Sequence, residues 1–413
     1  MSAEGQRGAG PGVGALYLHV PFCARKCAYC DFASWATSPG DPLMGSYSRA
    51  LEAQLDEAAG LGLLEGCETA YVGGGTPTLL GAERLGSLVG KVVRLAAPSE
   101  LTCEANPDSL TDAVLGAVRA AGATRLSVGV QSLDDGELVE LGRLHDATCA
   151  RERVRAAVES GLDVSVDLMC ATPGQTDASW ASTLAEALAL GVGHVSVYPL
   201  QIEEGTALGE RWHDEDPAWN DGDVQASRME QAQAVLEGSR LVRYEVASYA
   251  ATGKQCRHNI AYWTGVTYLG LGTGASSMLN LKQYMRLSQV CPSLPEPPAH
   301  AARVRLAVET ARAGIAADPR LSSLTFSTEF LSGREAVAED LMLAMRMTRG
   351  AGPELLARAR EEVGAGRLDA AVGEAVATGL ATWSGERLVP TARGWLLGNE
   401  LYGLMWDLAG DGS

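Results

Sequence analysis

Leu16-Tyr-Leu-His-Val20-Pro-Phe-Cys23-Ala-Arg-Lys-Cys27-Ala-Tyr-Cys30 passes from a short apolar run, through a proline, into a loop that carries three cysteines. The run is too short for a buried helix and reads as a strand. Working outward, similar runs recur at 69–72, 101–105, 125–130, 164–169 and 194–198. Between them lie Ala-, Leu- and Glu-rich stretches such as 47–59 and 177–190, with apolar residues three and four apart. Strand alternating with helix in this way predicts an α/β fold built on a parallel sheet with crossover helices. Periodicity suits an open sheet and a partial barrel equally. Either one places ligands at the carboxyl ends of the strands.

Chemistry collects at those ends. After the runs come His19-Val-Pro-Phe-Cys23, Gly73-Gly-Gly-Thr-Pro77, Glu104-Ala-Asn-Pro107, Gln131-Ser132, Asp167 with Met169-Cys170, and Tyr198-Pro-Leu200. Ordinary turns account for the Gly, Pro and Asn. They account for neither the cysteine triplet nor the acids Glu104 and Asp167 inside apolar runs, where a charge is costly without a partner.

Three thiolates spaced C-x3-C-x2-C on one loop can hold three irons of a [4Fe–4S] cubane and leave the fourth iron open. The amino and carboxylate groups of S-adenosylmethionine (SAM) suit that vacancy, and an electron from the cluster then cleaves SAM to a radical. A zinc site of three cysteines with His19 is the competing reading of the same residues. In the first reading Tyr17 and Tyr29 are candidates to pack on adenine, with core packing the alternative. Gly74 and Gly75 let backbone approach a ligand closely. Glu104 and Asp167 would meet the amino group and ribose hydroxyls, Gln131 would add a ribose contact, and Arg143 would pair with the SAM carboxylate. On its own Arg143 would pass as a surface helix arginine.

Composition bounds the rest. The chain has 413 residues, 46% hydrophobic, enough for one large domain and a smaller one. No apolar run approaches the roughly 18 residues of a membrane span, which allows at most peripheral membrane contact. A net charge of −18 argues against nucleic acid as a partner. Residues 1–14 read as a disordered lead without an apolar signal core. Nine cysteines, an odd number, suit a reducing, cytoplasmic compartment. Cys67, Cys103, Cys149, Cys170, Cys256 and Cys291 read as small buried residues.

The sheet domain that carries the cysteine triplet is expected over 15–240. From 241 to 330 the pattern loosens into an extension with a strand at 244–246, the Cys256-Arg-His258-Asn259 segment and a proline-rich linker at 291–298. Residues 331–413 predict helices at 336–347, 353–362 and 368–379, a hairpin at 380–390 and a final helix, a winged-helix-like module. Residues 351–413 hold five Arg and no Lys against nine acids, which disfavours DNA.

In order along the chain, Tyr17-Leu-His-Val-Pro-Phe-Cys23 through Cys30-Asp-Phe32, Gly73-Gly-Gly-Thr-Pro77, Glu104-Ala-Asn-Pro107, Gly129-Val-Gln-Ser132 and Gly142-Arg-Leu-His145 resemble the oxygen-independent coproporphyrinogen III oxidase-like radical SAM family. The resemblance implies a partial parallel (β/α) barrel with a C-terminal accessory domain. It also implies cluster ligands at Cys23, Cys27 and Cys30, and SAM contacts at Tyr17, Tyr29, Gly74, Gly75, Thr76, Glu104, Gln131, Arg143 and Asp167.

The family includes the oxidases, radical SAM methyltransferases and HemW-type heme chaperones. Phe32 stands where the oxidases have a further cysteine, and about fifteen residues precede the first strand where the oxidases have a long arm. His258-Asn259-Ile-Ala-Tyr262-Trp263 matches the HNxxYW motif of the HemW type, with His258 as the implied heme ligand and Tyr262 and Trp263 against the porphyrin. From the residues alone, this segment is a turn with a satisfied core histidine. The resemblance thus implies heme as cargo, acceptor proteins for it, and an electron donor such as flavodoxin or ferredoxin. Two departures, Cys170-Ala-Thr-Pro173 and Gly274-Ala-Ser276, border the side where a substrate is expected.

Overall fold

The computed structural model describes residues 12–212 and 220–410. Twelve strands form one sheet: β1 (Ala15–Val20), β2 (Thr69–Gly74), β3 (Glu100–Ala105), β4 (Arg125–Gln131), β5 (Asp163–Cys170), β6 (His194–Pro199), β7 (Val242–Arg243), β8 (Ser248–Ala250), β9 (Tyr268–Leu271), β10 (Ser276–Asn280), β11 (Arg303–Val308) and β12 (Phe326–Leu331). The order is β12-β11-β10-β9-β1-β2-β3-β4-β5-β6-β8-β7. From β9 through β6 every pairing is parallel. Both edges are extended by antiparallel strands. The first and last strands of that order do not pair among the described residues, so the sheet curves without closing into a full barrel.

All six strand positions of the first half stand where the apolar runs predict them, one or two residues longer. They are buried on both faces, as strands covered by crossover helices must be. The helices begin at side-chain caps: Asp41 for Pro42–Gly60, Asp146 for Ala147–Glu159, and a reciprocal Thr176/Ser179 pair for Asp177–Ala189. Trp180 anchors the last of these, wholly buried with its indole N–H donating to the Arg228 carbonyl at 3.0 Å.

Beyond β12 the chain forms helices Gly333–Ala344, Pro353–Val363 and Ala365–Ala377, the hairpin Ala381–Ser384/Arg387–Pro390, and helices Ala392–Leu396 and Gly398–Trp406. These elements share their own core of Leu341, Leu356, Leu368, Leu388, Leu401 and Met405. They are tied to the sheet by buried charge: Arg303 on β11 meets Glu339 at 2.9 Å and Asp340 at 2.8 Å. The Trp395 indole also donates to the Val246 carbonyl at 2.8 Å.

Three expectations need correction. Residues 244–246 are not a strand; Glu245 makes only an isolated bridge to Met347, and its carboxylate turns inward to accept from the Ala247 amide. The end of the lead is fixed, since Val13 is fully buried and the Gly12 carbonyl accepts from Gln283 at 2.7 Å, while residues 1–11 lie outside the described residues. Segment 291–298 is irregular but packed: Cys291 is buried and its thiol meets the Leu321 carbonyl at 3.2 Å, and Tyr284 donates to the Pro295 carbonyl at 2.5 Å.

Candidate cofactor site

The cysteine loop leaves the carboxyl end of β1. Its base is a short parallel pairing of Phe22–Cys23 with Trp35–Ala36. The Thr37 amide donates to the Cys23 carbonyl at 2.8 Å, the Cys30 amide to that of Cys27 at 3.2 Å, and the Ala28 amide reaches across to Leu141 at 3.0 Å. All three thiols are free and partly exposed, along one wall of a cavity of about 400 Å³. Burial pushes the Cys23 and Cys30 thiols upward. The Arg143 guanidinium offers compensating charge, donating to Cys27 Sγ at 3.1 Å, and the Thr76 hydroxyl approaches Cys23 Sγ at 3.6 Å.

His19, the nearby nitrogen for a Cys3His site, has both ring nitrogens engaged, Nδ1 with Tyr17 at 3.0 Å and Nε2 with the Ala33 carbonyl at 2.9 Å. Among the described residues no three Cys, His, Asp or Glu side chains converge on a single ion position. Thiolates that each bind a different corner of a cubane need no such convergence, so three sulfurs on one loop fit a cluster better than one ion.

Side chains from β2 to β6 line the same cavity, which requires the sheet to bend around it. Glu104, at the end of β3, accepts from the Tyr71 hydroxyl and the Gly74 amide, both at 2.9 Å. Burial pushes its carboxyl up to about 7. Asp167 on β5 accepts from Ser127 at 3.0 Å and is likewise raised by burial. Gln131 closes β4 with φ of 67°, a left-handed conformation uncommon outside glycine and frequent at functional sites. Tyr29, Gly74, Gly75 and Thr76 also line the cavity.

Several expected roles change. Tyr17 is not in the cavity; it stacks on Tyr71 at 6.2 Å between ring centroids, and Tyr71 takes the cavity position. Arg143 is no surface helix residue: it is buried in a turn, and besides Cys27 it donates to Asn106 at 2.8 Å and to the Gly129 carbonyl at 2.7 Å. The glycines serve the protein's own packing first. A Cβ at Gly74 would strike the His19 ring at 2.4 Å, and one at Gly75 would lie 2.7 Å from the Phe22 carbonyl oxygen.

His258 departs furthest. It sits in the helix Arg257–Trp263, 1% exposed, with Nδ1 bonded to Thr69 at 2.9 Å, Nε2 to Tyr262 at 3.0 Å and its ring stacked on Tyr71. Burial holds it down at about 3, hence neutral. In this geometry it is a satisfied core histidine with no free nitrogen for heme iron, and Tyr262 is its partner. Asn259 does face the cavity. Asn106 and Tyr198, placed at strand ends but given no role in the sequence, line the cavity too, and so do Ser127 and Ser196, which the sequence reading missed. The period-two alternation that puts Ser127 beside Gly129, and Ser196 beside Tyr198, was the available signal.

Fold and site together define a radical SAM protein. The radical SAM superfamily model matches residues 17–187. The heme chaperone HemW of Mycobacterium tuberculosis (strain ATCC 25618 / H37Rv) is 34% identical over 391 residues, covering 94% of this chain and 93% of its own. HemW of Bacillus subtilis (strain 168) is 30% identical, covering 94% and 98%. The solved coproporphyrinogen III oxidase (HemN) of Escherichia coli, a radical SAM enzyme, superposes with a TM-score of 0.75 over 96% of this chain and 90% of that one, at 19% identity, a likeness of fold. The chain belongs to the HemW family. Membership in the superfamily implies a [4Fe–4S] cluster and SAM. Among the described residues no helix is long and apolar enough to cross a membrane.

Proposed function

We propose that this protein is a cytoplasmic heme chaperone that binds heme and delivers it to acceptor proteins, with Cys23, Cys27 and Cys30 holding a [4Fe–4S] cluster and the adjoining cavity holding SAM. The observation that carries the reading is the 34% identity to a HemW over nearly the whole of both chains. When bound, the cluster and SAM supply one-electron chemistry, drawn from a flavodoxin- or ferredoxin-like donor. Arg143 sets a fixed positive charge against the Cys27 sulfur and keeps Asn106 and the end of β4 in register. Glu104, already oriented by Tyr71 and Gly74, offers a carboxylate to a cationic amino group. Asp167 and Gln131 offer acceptors and donors to ribose hydroxyls.

The test is anaerobic reconstitution with iron and sulfide, followed by incubation with coproporphyrinogen III, SAM and a reductant. The expected protein shows the cluster's visible absorbance, loses it in Cys27→Ala, and forms no vinyl-bearing porphyrinogen. Vinyl product at enzymatic rates would make it an oxidase, and an unchanged spectrum in Cys27→Ala would remove the cluster assignment.

A further inference from the structure

A second cavity, of about 920 Å³, lies between the end of β6, residues 245–247, the helix Gly222–Glu237 and the helix Ala392–Leu396. Most of its lining surface is apolar. Trp395 is held in place by its bond to the Val246 carbonyl at 2.8 Å and by the Arg243 guanidinium 4.0 Å over its ring. Trp263, Met229 and Leu396 complete the apolar lining. Tyr198 and Asn259 line this cavity and the cysteine-lined one alike, so they form a shared partition.

Charge on the C-terminal wall is unbalanced. Arg346 and Arg393 both line the cavity, and neither makes an ion pair with a described residue. Arg346 lies 5.3 Å over the Trp263 ring and 4.3 Å over Tyr402, and its buried Nε has no hydrogen-bond partner. The acids that line the cavity lie elsewhere: Asp223 and Glu230 are exposed on the opposite helix, and the Glu245 carboxylate is turned onto the Ala247 amide.

We infer that this cleft binds a planar tetrapyrrole bearing carboxylates, its ring against Trp263, Trp395 and Met229 and its carboxylates on Arg346 and Arg393. The inference rests on the heme-chaperone reading and gives the cargo a place distinct from the SAM cavity. The volume lies in the range of roughly 300–1,000 Å³ usual for small-molecule sites, and the smaller cavity has SAM to hold. Among the described residues no histidine or cysteine lines the cleft, and the recognition inferred here runs through the ring plane and the carboxylates. The partition of Tyr198 and Asn259 sets the cargo next to the cofactor cavity.

The test is hemin titration of the reconstituted full chain, followed by Soret absorbance. Ala226→Trp places an indole in the cleft from the helix Gly222–Glu237, and Arg393→Glu reverses an exposed charge at its wall. Hemin affinity should fall at least about tenfold in the first and about fivefold in the second, with iron content and circular dichroism as in the unsubstituted protein. Iron-free protoporphyrin IX should compete. Should Ala226→Trp fail to fold, Arg393→Glu decides. Unchanged hemin affinity in a folded variant, or no competition by protoporphyrin IX, overturns the cleft while the chaperone reading stands. An unsubstituted protein that binds no hemin overturns the chaperone reading itself.

Discussion

At the scale of single residues, Glu104 and His258 pull stability in opposite directions with pH. Burial pushes Glu104 from its usual 4.5 up to about 7, so between those values the folded state holds more protons than the unfolded. Without its cofactors the protein therefore loses stability as pH rises through that window, by up to about 3 kcal/mol at ~1.4 kcal/mol per pH unit. Glu104→Gln should unfold at higher urea concentration than the unsubstituted protein at pH 8, and should bind SAM at least about tenfold more weakly. His258 is lowered from 6.5 to about 3, so the unfolded state takes the extra proton and this contribution is lost as pH falls below 6.5. His258→Asn leaves Thr69 and Tyr262 short of a partner and should cost about 2–3 kcal/mol in urea unfolding. The folded fraction should keep its hemin affinity; its loss would restore His258 as a ligand. Glu104 was legible because a carboxylate in an apolar run asks for a partner. Arg143 was legible only as a cation, since its Cys27 contact joins residues 116 apart in the chain.

At the scale of elements, the glycine tract after β2 and the cysteine loop after β1 are one mechanical unit. The Gly75 amide donates to the Val20 carbonyl at 2.9 Å and the Thr76 amide to Phe22 at 2.7 Å, so the two loops share their hydrogen bonds. Gly75→Ala sets a methyl against the Phe22 carbonyl, and backbone there cannot move without carrying Cys23 with it. Reconstituted Gly75→Ala should retain its circular dichroism and less than about half the iron of the unsubstituted protein, since a strain of about 1–3 kcal/mol falls on the loop rather than on the core. Full iron content would show the loops to be independent. The six parallel strands and the C-terminal helices were legible from period and capping. The edge strands were less so, because β7 and β8 have two and three residues, too few for a period; β8 takes its place from pairing with β6, and β7 from pairing with β8.

At the scale of the molecule, the sheet supplies one cavity at its strand ends, and its junction with the C-terminal part supplies another. The first was foreshadowed by cysteines, glycines and acids at the strand ends. The second was foreshadowed at Asn259 and Trp263 alone, because its other walls come from β6, the helix Gly222–Glu237, residues 245–247, Arg346 and the helix Ala392–Leu396, which share no motif. The docking through Arg303, Glu339, Asp340 and Trp395, together with the Glu245–Met347 bridge, brings them together. In the motif at 258–263 the histidine faces the core, as the residues alone suggest and the resemblance does not, while Asn259 and Trp263 face cavities.

Carriage of heme by the cluster-bearing protein is open to a transfer experiment. The reconstituted chain, loaded with one equivalent of hemin and freed of excess, is mixed with a heme-free acceptor protein while the Soret bands of donor and acceptor are followed. Stable loading should be followed by transfer to the acceptor faster than free hemin released by dissociation would allow. Hemin that fails to load, or that leaves at the same rate with and without acceptor, would contradict it.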